Sequence, residues 1–314
     1  MVITILLLTS TYAWFTSNKN ISVNTLDVKV ATSDSLEISA DAYNWSTQIT
    51  GDTLLEVTNT TTGKYRDAIN QIPATAILPM STVGNVNDGK MDMFLGTVNE
   101  NYKLTATKET EKHGKDVGGN FIAFDIFLKA SRETKIQLDP ATSILPAEGS
   151  NQGIENATRI AILNYGTPTD LYNSEGAQDL KEVVGDGKAL IIEPNCDTHT
   201  GTGKANAQNI YGITGLNDSG NDPLTYYGIK EPISSPGIDL KRSDESDPRE
   251  AVNTLALNKN FSSAPDLITL NKGITKLRIY LWIEGDDVDC EDAASGANLK
   301  FNLQFTTADI VPGV

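Results

Sequence analysis

Cysteine occurs twice in these 314 residues, at Cys196 and Cys290, and the first opens Cys196-Asp-Thr-His199. A C-x-x-H spacing is metal-like, because a thiolate and an imidazole three residues apart can face one cation. A zinc site needs three or four such ligands. The other histidine, His113, stands in the charged stretch Lys108–Lys115, which reads as a solvated loop, so zinc is not expected. In a secreted protein the simplest use of two cysteines is a Cys196–Cys290 disulfide, with two separate thiols as the alternative. Closing a loop of that length would contribute about 4–5 kcal/mol in the chain-entropy treatment. Shortly before and after Cys290 come Asp286, Asp287, Asp289, Glu291 and Asp292. So many carboxylates in one turn repel each other unless water or a cation intervenes. Hard oxygen donors on a loop suit Ca²⁺, the one cofactor with a candidate ligand set, while a solvated acidic turn is the plainer reading. The Asn217–Asp222 loop is a weaker calcium candidate.

Other chemistry finds no foothold. There is no H-E-x-x-H, no glycine-rich phosphate loop and no Ser-His-Asp signature, so no catalytic residue is assigned and an enzyme is not expected. Sequons stand at Asn20, Asn44, Asn59, Asn156, Asn217 and Asn260, and Trp45, Tyr226 and Tyr227 are candidates for stacking on sugars. Lys and Arg number 25 against 41 Asp and Glu, a formal charge of −16. That excludes nucleic acid as a partner, since phosphate binding needs clustered cations, and it disfavours an anionic membrane face.

The elements that must position these residues are mostly strands. Alternation is clear in Leu277, Ile279, Leu281 and Ile283, with Lys276, Arg278, Tyr280, Trp282 and Glu284 on the opposite face. It recurs in Leu299, Phe301, Leu303 and Phe305. Both read as half-buried antiparallel strands. In Ile21–Val30 the apolar phase slips by one near Asn24-Thr25, which predicts a bulge or two short strands. Phe121–Leu128 and Ile160–Leu163 are apolar at nearly every position and read as strands buried on both faces. Ala189–Ile192 is a further strand candidate, and short helical turns are expected at Leu180–Val184 and Arg66–Gln71. From about 195 to 265, Gly, Asn, Asp, Ser and Pro dominate, and the stretch reads as a long surface insertion. The expected fold is a mainly β, jelly-roll-like antiparallel β-sandwich with long loop insertions, over residues 17–314. Two domains joined near Leu145-Pro-Ala-Glu-Gly is the alternative.

Residues 1–16 stand apart as an apolar N-terminal segment, helix or strand. Ile3, Ile5, Leu6, Leu7, Leu8, Tyr12, Trp14 and Phe15 lie in a run without a charge. As a helix, fifteen residues reach about 22 Å, short of the ~30 Å hydrocarbon core. Thr11-Tyr12-Ala13 is similar to a signal cleavage site, yet no Lys or Arg precedes Lys19, as if the start lay within a longer precursor. If the segment is retained, something must bury it, since each fully buried Leu is worth about 1.5–3 kcal/mol. Other copies of the same chain would do so. A membrane anchor or signal is the competing reading.

Two segments carry a family resemblance. Ser10-Thr-Tyr-Ala-Trp-Phe-Thr16, followed by Val23-Asn-Thr-Leu-Asp-Val28, resembles the start of Gram-positive surface proteins processed by a SipW-type signal peptidase, the TasA- and camelysin-like group. Leu277–Cys290 resembles a C-terminal block of surface proteins with that kind of start. The resemblance covers roughly 45 residues. It implies secretion to the cell surface, a jelly-roll fold and polymerisation of the chain with itself. The resulting expectation is a structural subunit of an extracellular filament, assembled through residues 1–15 and contacting membrane only before assembly. A surface-anchored adhesin binding carbohydrate or calcium is the alternative.

Overall fold

The structure, a computed structural model, describes residues 21–31, 36–74, 76–101, 103–112, 118–146, 153–209, 226–240, 247–263, 265–291 and 296–308. The apolar segment 1–15, His113, Asp292 and the Asn217–Asp222 loop lie outside them.

The first half of the chain forms β1 (Ser22–Val30), β2 (Leu36–Ser39), β3 (Gln48–Thr50), helix α1 (Gly51–Val57), β4 (Asn70–Gln71), β5 (Pro79–Ser81), β6 (Val86–Asn87), β7 (Lys90–Met91), β8 (Met93–Val98) and β9 (Lys103–Glu109). Next come β10 (Ile122–Ala130), β11 (Thr134–Leu138), β12 (Ser143–Pro146), β13 (Thr158–Gly166), α2 (Ser174–Gln178), β14 (Leu190–Glu193) and α3 (Gly201–Asn209). The remainder is β15 (Tyr227–Ile229), β16 (Ile233–Asp239), β17 (Arg249–Ala251), β18 (Leu255–Ala256), β19 (Asp266–Leu270), β20 (Gly273–Glu284) and β21 (Asn298–Ala308). The protein is mainly β, as its composition predicts.

Two sheets face each other across one core. The smaller runs β19-β11-β21-β1-β3, with β12 also on β21. The larger runs β16-β9-β8-β5-β20-β13-β14-β18, and β10 pairs with β20 along its whole length. Between them lie Leu26, Val28, Phe301, Leu303 and Phe305 from one side and Phe124, Ile126, Ile160, Leu277 and Ile279 from the other. Antiparallel pairing throughout is expected from sequence, and the sheets are instead mixed. β1–β21, β14–β18 and β5–β20 are parallel. β1 and β21 keep the expected alternation, and the β1 register shifts between Val23 and Thr25, where the apolar phase slips.

β20 departs from its sequence pattern. All twelve residues are buried, because a second apolar cluster of Phe121, Met80, Tyr280, Trp282, Ala161 and Leu163 covers the far face of the larger sheet. The hairpin β6–β7 helps to close that face. Its turn is Asp88-Gly89, with φ of 50° and 67°, the left-handed pair that a two-residue hairpin demands and that Gly adopts without cost. Segment 195–265 also differs from a surface insertion. It supplies β16 and β18, the two end strands of the larger sheet's main path, and buries Tyr226, Ile229, Leu240 and Leu257. Leu180–Val184 and Arg66–Gln71 are not helical. The helical turn is α2, just ahead of the first, and the second ends in β4.

Candidate functional site

The acidic turn after β20 folds inward. Asp286, Asp287, Asp289 and Glu291 are all buried, with Asp289 wholly inaccessible. Each carboxylate is met by protein donors. Arg159 Nη2, from β13, donates to Asp287 Oδ2 at 2.6 Å and to Glu193 Oε1 at 2.9 Å. Its Nη1 reaches the carbonyls of Asn156 and Thr158, and the Tyr226 ring lies 5.1 Å from the guanidinium carbon. Tyr227 N donates to Asp286 Oδ2 at 2.9 Å. The turn is therefore not solvated. Among the described residues no group of three or more His, Cys, Asp or Glu is arranged to hold a metal ion. The physical reason is that paired guanidinium and hydrogen-bond donors offset the repulsion a cation would otherwise relieve.

Asp289 organises the loop that carries Cys196 and His199. Asn195 turns that loop at φ 58°, a conformation Asn tolerates, and donates its amide to the carbonyls of Ile144 and Glu155. His199 Nδ1 is 2.8 Å from Asp289 Oδ2, while Thr200 N donates to Asp289 Oδ1 at 2.9 Å. Burial alone would lower the His199 pKa. The Asp289 hydrogen bond and the charges of Asp287, Asp289 and Glu193 outweigh it and raise the value. Thr200 Oγ1 accepts from Gly203 N and starts α3. A Cβ on Gly203 would sit 2.3 Å from Asp289 Oδ1, so only glycine lets the helix approach this carboxylate.

Cys196 and His199 do not converge on a common point. The Cys196 thiol points to Asn258 Oδ1 at 3.5 Å, whereas His199 faces Asp289. Nor does Cys196 join Cys290: both are buried thiols. Burial, with Glu193 and Asp197 nearby, pushes the Cys196 pKa up to about 11, away from the thiolate that disulfide chemistry requires. Deeper in the same network, Glu284 accepts from Trp282 Nε1 at 3.0 Å, and burial raises its pKa to about 8.

A second charged cluster lies on the far face of β10 and β20. Arg278 donates from Nε to Asp125 Oδ1 at 2.7 Å and from Nη1 to Glu111 Oε1 at 2.9 Å. Tyr280 OH shares that Glu111 oxygen at 2.7 Å, and Tyr65 OH donates to Asp125 Oδ2 at 3.0 Å. Desolvation works against the Asp125 charge, yet Arg278 and Lys276 hold its pKa below the usual carboxylate value. Lys276 Nζ donates to the carbonyls of Gln178 and Leu180 at 2.9 and 2.7 Å, and desolvation lowers its pKa to about 8. This cluster floors a cavity of about 820 Å³, walled by the loop after α1, the β6–β7 hairpin and the chain around α2.

Of the residues singled out by sequence, the structure brings together Asp286, Asp287, Asp289, Glu291 and His199. Tyr226 is buried under Arg159, and Asn156 is buried with its amide 3.2 Å from Asp289, so neither a sugar platform nor a sequon acceptor is presented there. Trp45 is half-buried, with Lys129 Nζ 4.4 Å from its ring centroid. Sequence reasoning missed Asp125, Arg159, Lys276 and Arg278. The available signal was a charge placed inside or beside an apolar run, as Asp125 is within Phe121–Leu128.

Comparison with protein-family models, with curated proteins and with solved structures finds no match for this chain.

Proposed function

We propose that the chain is a structural subunit of an extracellular filament, built from a β-sandwich of jelly-roll ancestry and polymerised through its apolar N-terminal segment. The observation that carries this reading is how β1, the first described strand after the segment in sequence, is held. Its residues Ser22–Val30 pair in parallel with Asn298–Phe305 of β21 and at Asp27–Lys29 with β3. Leu26, Val28 and Val30 anchor β1 in the main core. Force on the segment is thus delivered to a strand held by neighbours on both sides. The internal use of the charged residues also supports a scaffold role, since Arg159 and Arg278 spend their strongest contacts on buried carboxylates of the fold.

Ile3, Ile5, Leu6, Leu7, Leu8, Tyr12, Trp14 and Phe15 would form the contact between copies, and the acidic surface would keep the polymer soluble. Negative-stain microscopy of native material tests this. Regular fibres that vanish when residues 1–15 are deleted are expected. Fibres that persist after deletion, or monodisperse particles from the intact chain, overturn it. The alternative, a surface-anchored adhesin, is favoured by one observation: the cavity beside α2 is open to solvent at residues such as Tyr43, which is 40% exposed.

A further inference from the structure

The cavity beside α2 is unusual for so acidic a chain. Its lining holds six cations, Lys64, Arg66, Lys90, Lys181, Lys276 and Arg278, against three carboxylates, Asp67, Asp88 and Asp179. The two floor cations are already matched by Asp125 and Glu111. The four at the rim are different. Among the described residues none of them forms an ion pair, whereas Lys103, Lys108, Lys129 and Lys135 elsewhere on the surface each have an acidic partner. Lys64 and Arg66 come from the loop after α1. Lys90 and Lys181 come from two segments in close contact, since a Cβ on Gly89 would lie 2.0 Å from the Lys181 carbonyl oxygen.

Aromatic surface accompanies the charge. Tyr43 stands at the rim with Lys64 Nζ 5.1 Å from its ring centroid. Among the described residues, four of the five exposed large hydrophobic ones, Tyr43, Leu171, Tyr172 and Val184, belong to the segments around α2 and its contact loop. The volume falls within the ~300–1,000 Å³ of small-molecule sites. Unpaired cations select an anion, exposed carboxylates and carbonyls accept hydroxyl protons, and an exposed tyrosine face suits a pyranose ring.

We propose that this cavity binds a carboxylated saccharide, with Lys64 and Arg66 gripping the carboxylate and Tyr43 supporting the sugar ring. The proposal deepens the adhesin reading and is independent of filament assembly. Titration of the full chain with digalacturonate, followed by calorimetry or protein NMR, tests it. Saturable binding is expected, weakened about tenfold or more in the Lys64→Gln/Arg66→Gln variant, equivalent to about 1.4 kcal/mol. Tyr43→Ala is expected to weaken it as well. All three substitutions are at exposed positions, and an unchanged melting temperature certifies the fold. The methyl-esterified disaccharide separates the two ideas. If it binds as tightly as the acid, carbohydrate binding stands and the anionic pocket is overturned. Sodium sulfate displacing the sugar at equal concentration overturns the saccharide assignment. No binding, or binding indifferent to the rim substitutions, overturns the proposal outright.

Discussion

Arg278 and Asp125 face one another as register partners in the β10–β20 ladder, and the guanidinium Nε donates to the carboxylate at 2.7 Å. Both side chains are buried. Asp125→Asn keeps the shape and removes the charge, leaving Arg278 half-compensated and Tyr65 with a poorer acceptor. Removing one partner of a buried pair costs about 3–5 kcal/mol. Urea denaturation of Asp125→Asn should show a loss of that order. A loss below about 1 kcal/mol, the usual value for exposed pairs, would mean the cluster is solvated in solution.

Glu284 and Lys276 give stability a pH dependence of opposite signs. Glu284 has a folded pKa of about 8, above its ordinary 4.5. Its contribution is intact below about pH 4.5 and declines as pH rises to about 8, since the unfolded chain ionises first. Lys276 has a folded pKa of about 8, below its ordinary 10.5. Its penalty is present below pH 8 and is relieved as pH rises towards 10.5. Each slope approaches about 1.4 kcal/mol per pH unit. Denaturant midpoints against pH should therefore flatten between 4.5 and 8 in Glu284→Gln and between 8 and 10.5 in Lys276→Met. Curves superimposable on the parent after vertical displacement would rule the assignment out.

Asp289 sets the His199 titration. The chain has two histidines, so their ring protons are separable by NMR. The raised pKa of His199 means that its share of stability is present at acid pH and lost as pH rises through the folded value. Asp289→Asn should move the His199 midpoint down. Because Asp289 also receives Thr200 N, the variant should speed amide exchange at the start of α3.

The two cysteines are expected to react as thiols. Ellman titration in denaturant should count two, and the native protein should react slowly, because both are buried and Cys196 is held protonated. An unreduced mass lower by two hydrogens would establish the bridge instead.

The parallel arrangement of β1 and β21 predicts direction-dependent mechanical strength. Ser22 pairs with Asn298 and Val30 with Phe305. Handles at Ser22 and Ala308 load the shared hydrogen bonds together in shear, whereas handles at Ala31 and Ala308 peel them one by one. Single-molecule pulling should need a clearly higher force in the first geometry, since forced unfolding reads the unfolding barrier. Equal forces would remove the mechanical argument for a load-bearing subunit.

Alternation alone determined a good deal of this protein. Leu299, Phe301, Leu303 and Phe305 face the core as their spacing requires, the slip at Asn24-Thr25 is a real change of register, and the unbroken apolar runs around Phe124 and Ile162 are strands covered on both sides. These features depend on the period-two geometry of a single strand, which neighbours in sequence report. Only the tertiary structure decided the fate of the polar residues. Lys276, Arg278 and Glu284 alternate like a solvated face, and Asp286–Glu291 read as a solvated turn, yet all are buried. Their partners, Asp125, Glu111, Arg159 and His199, lie far away along the chain. A periodicity states that a strand has two unlike faces. It does not state whether the polar one meets water or a charge of opposite sign, because that depends on which distant segment folds over it.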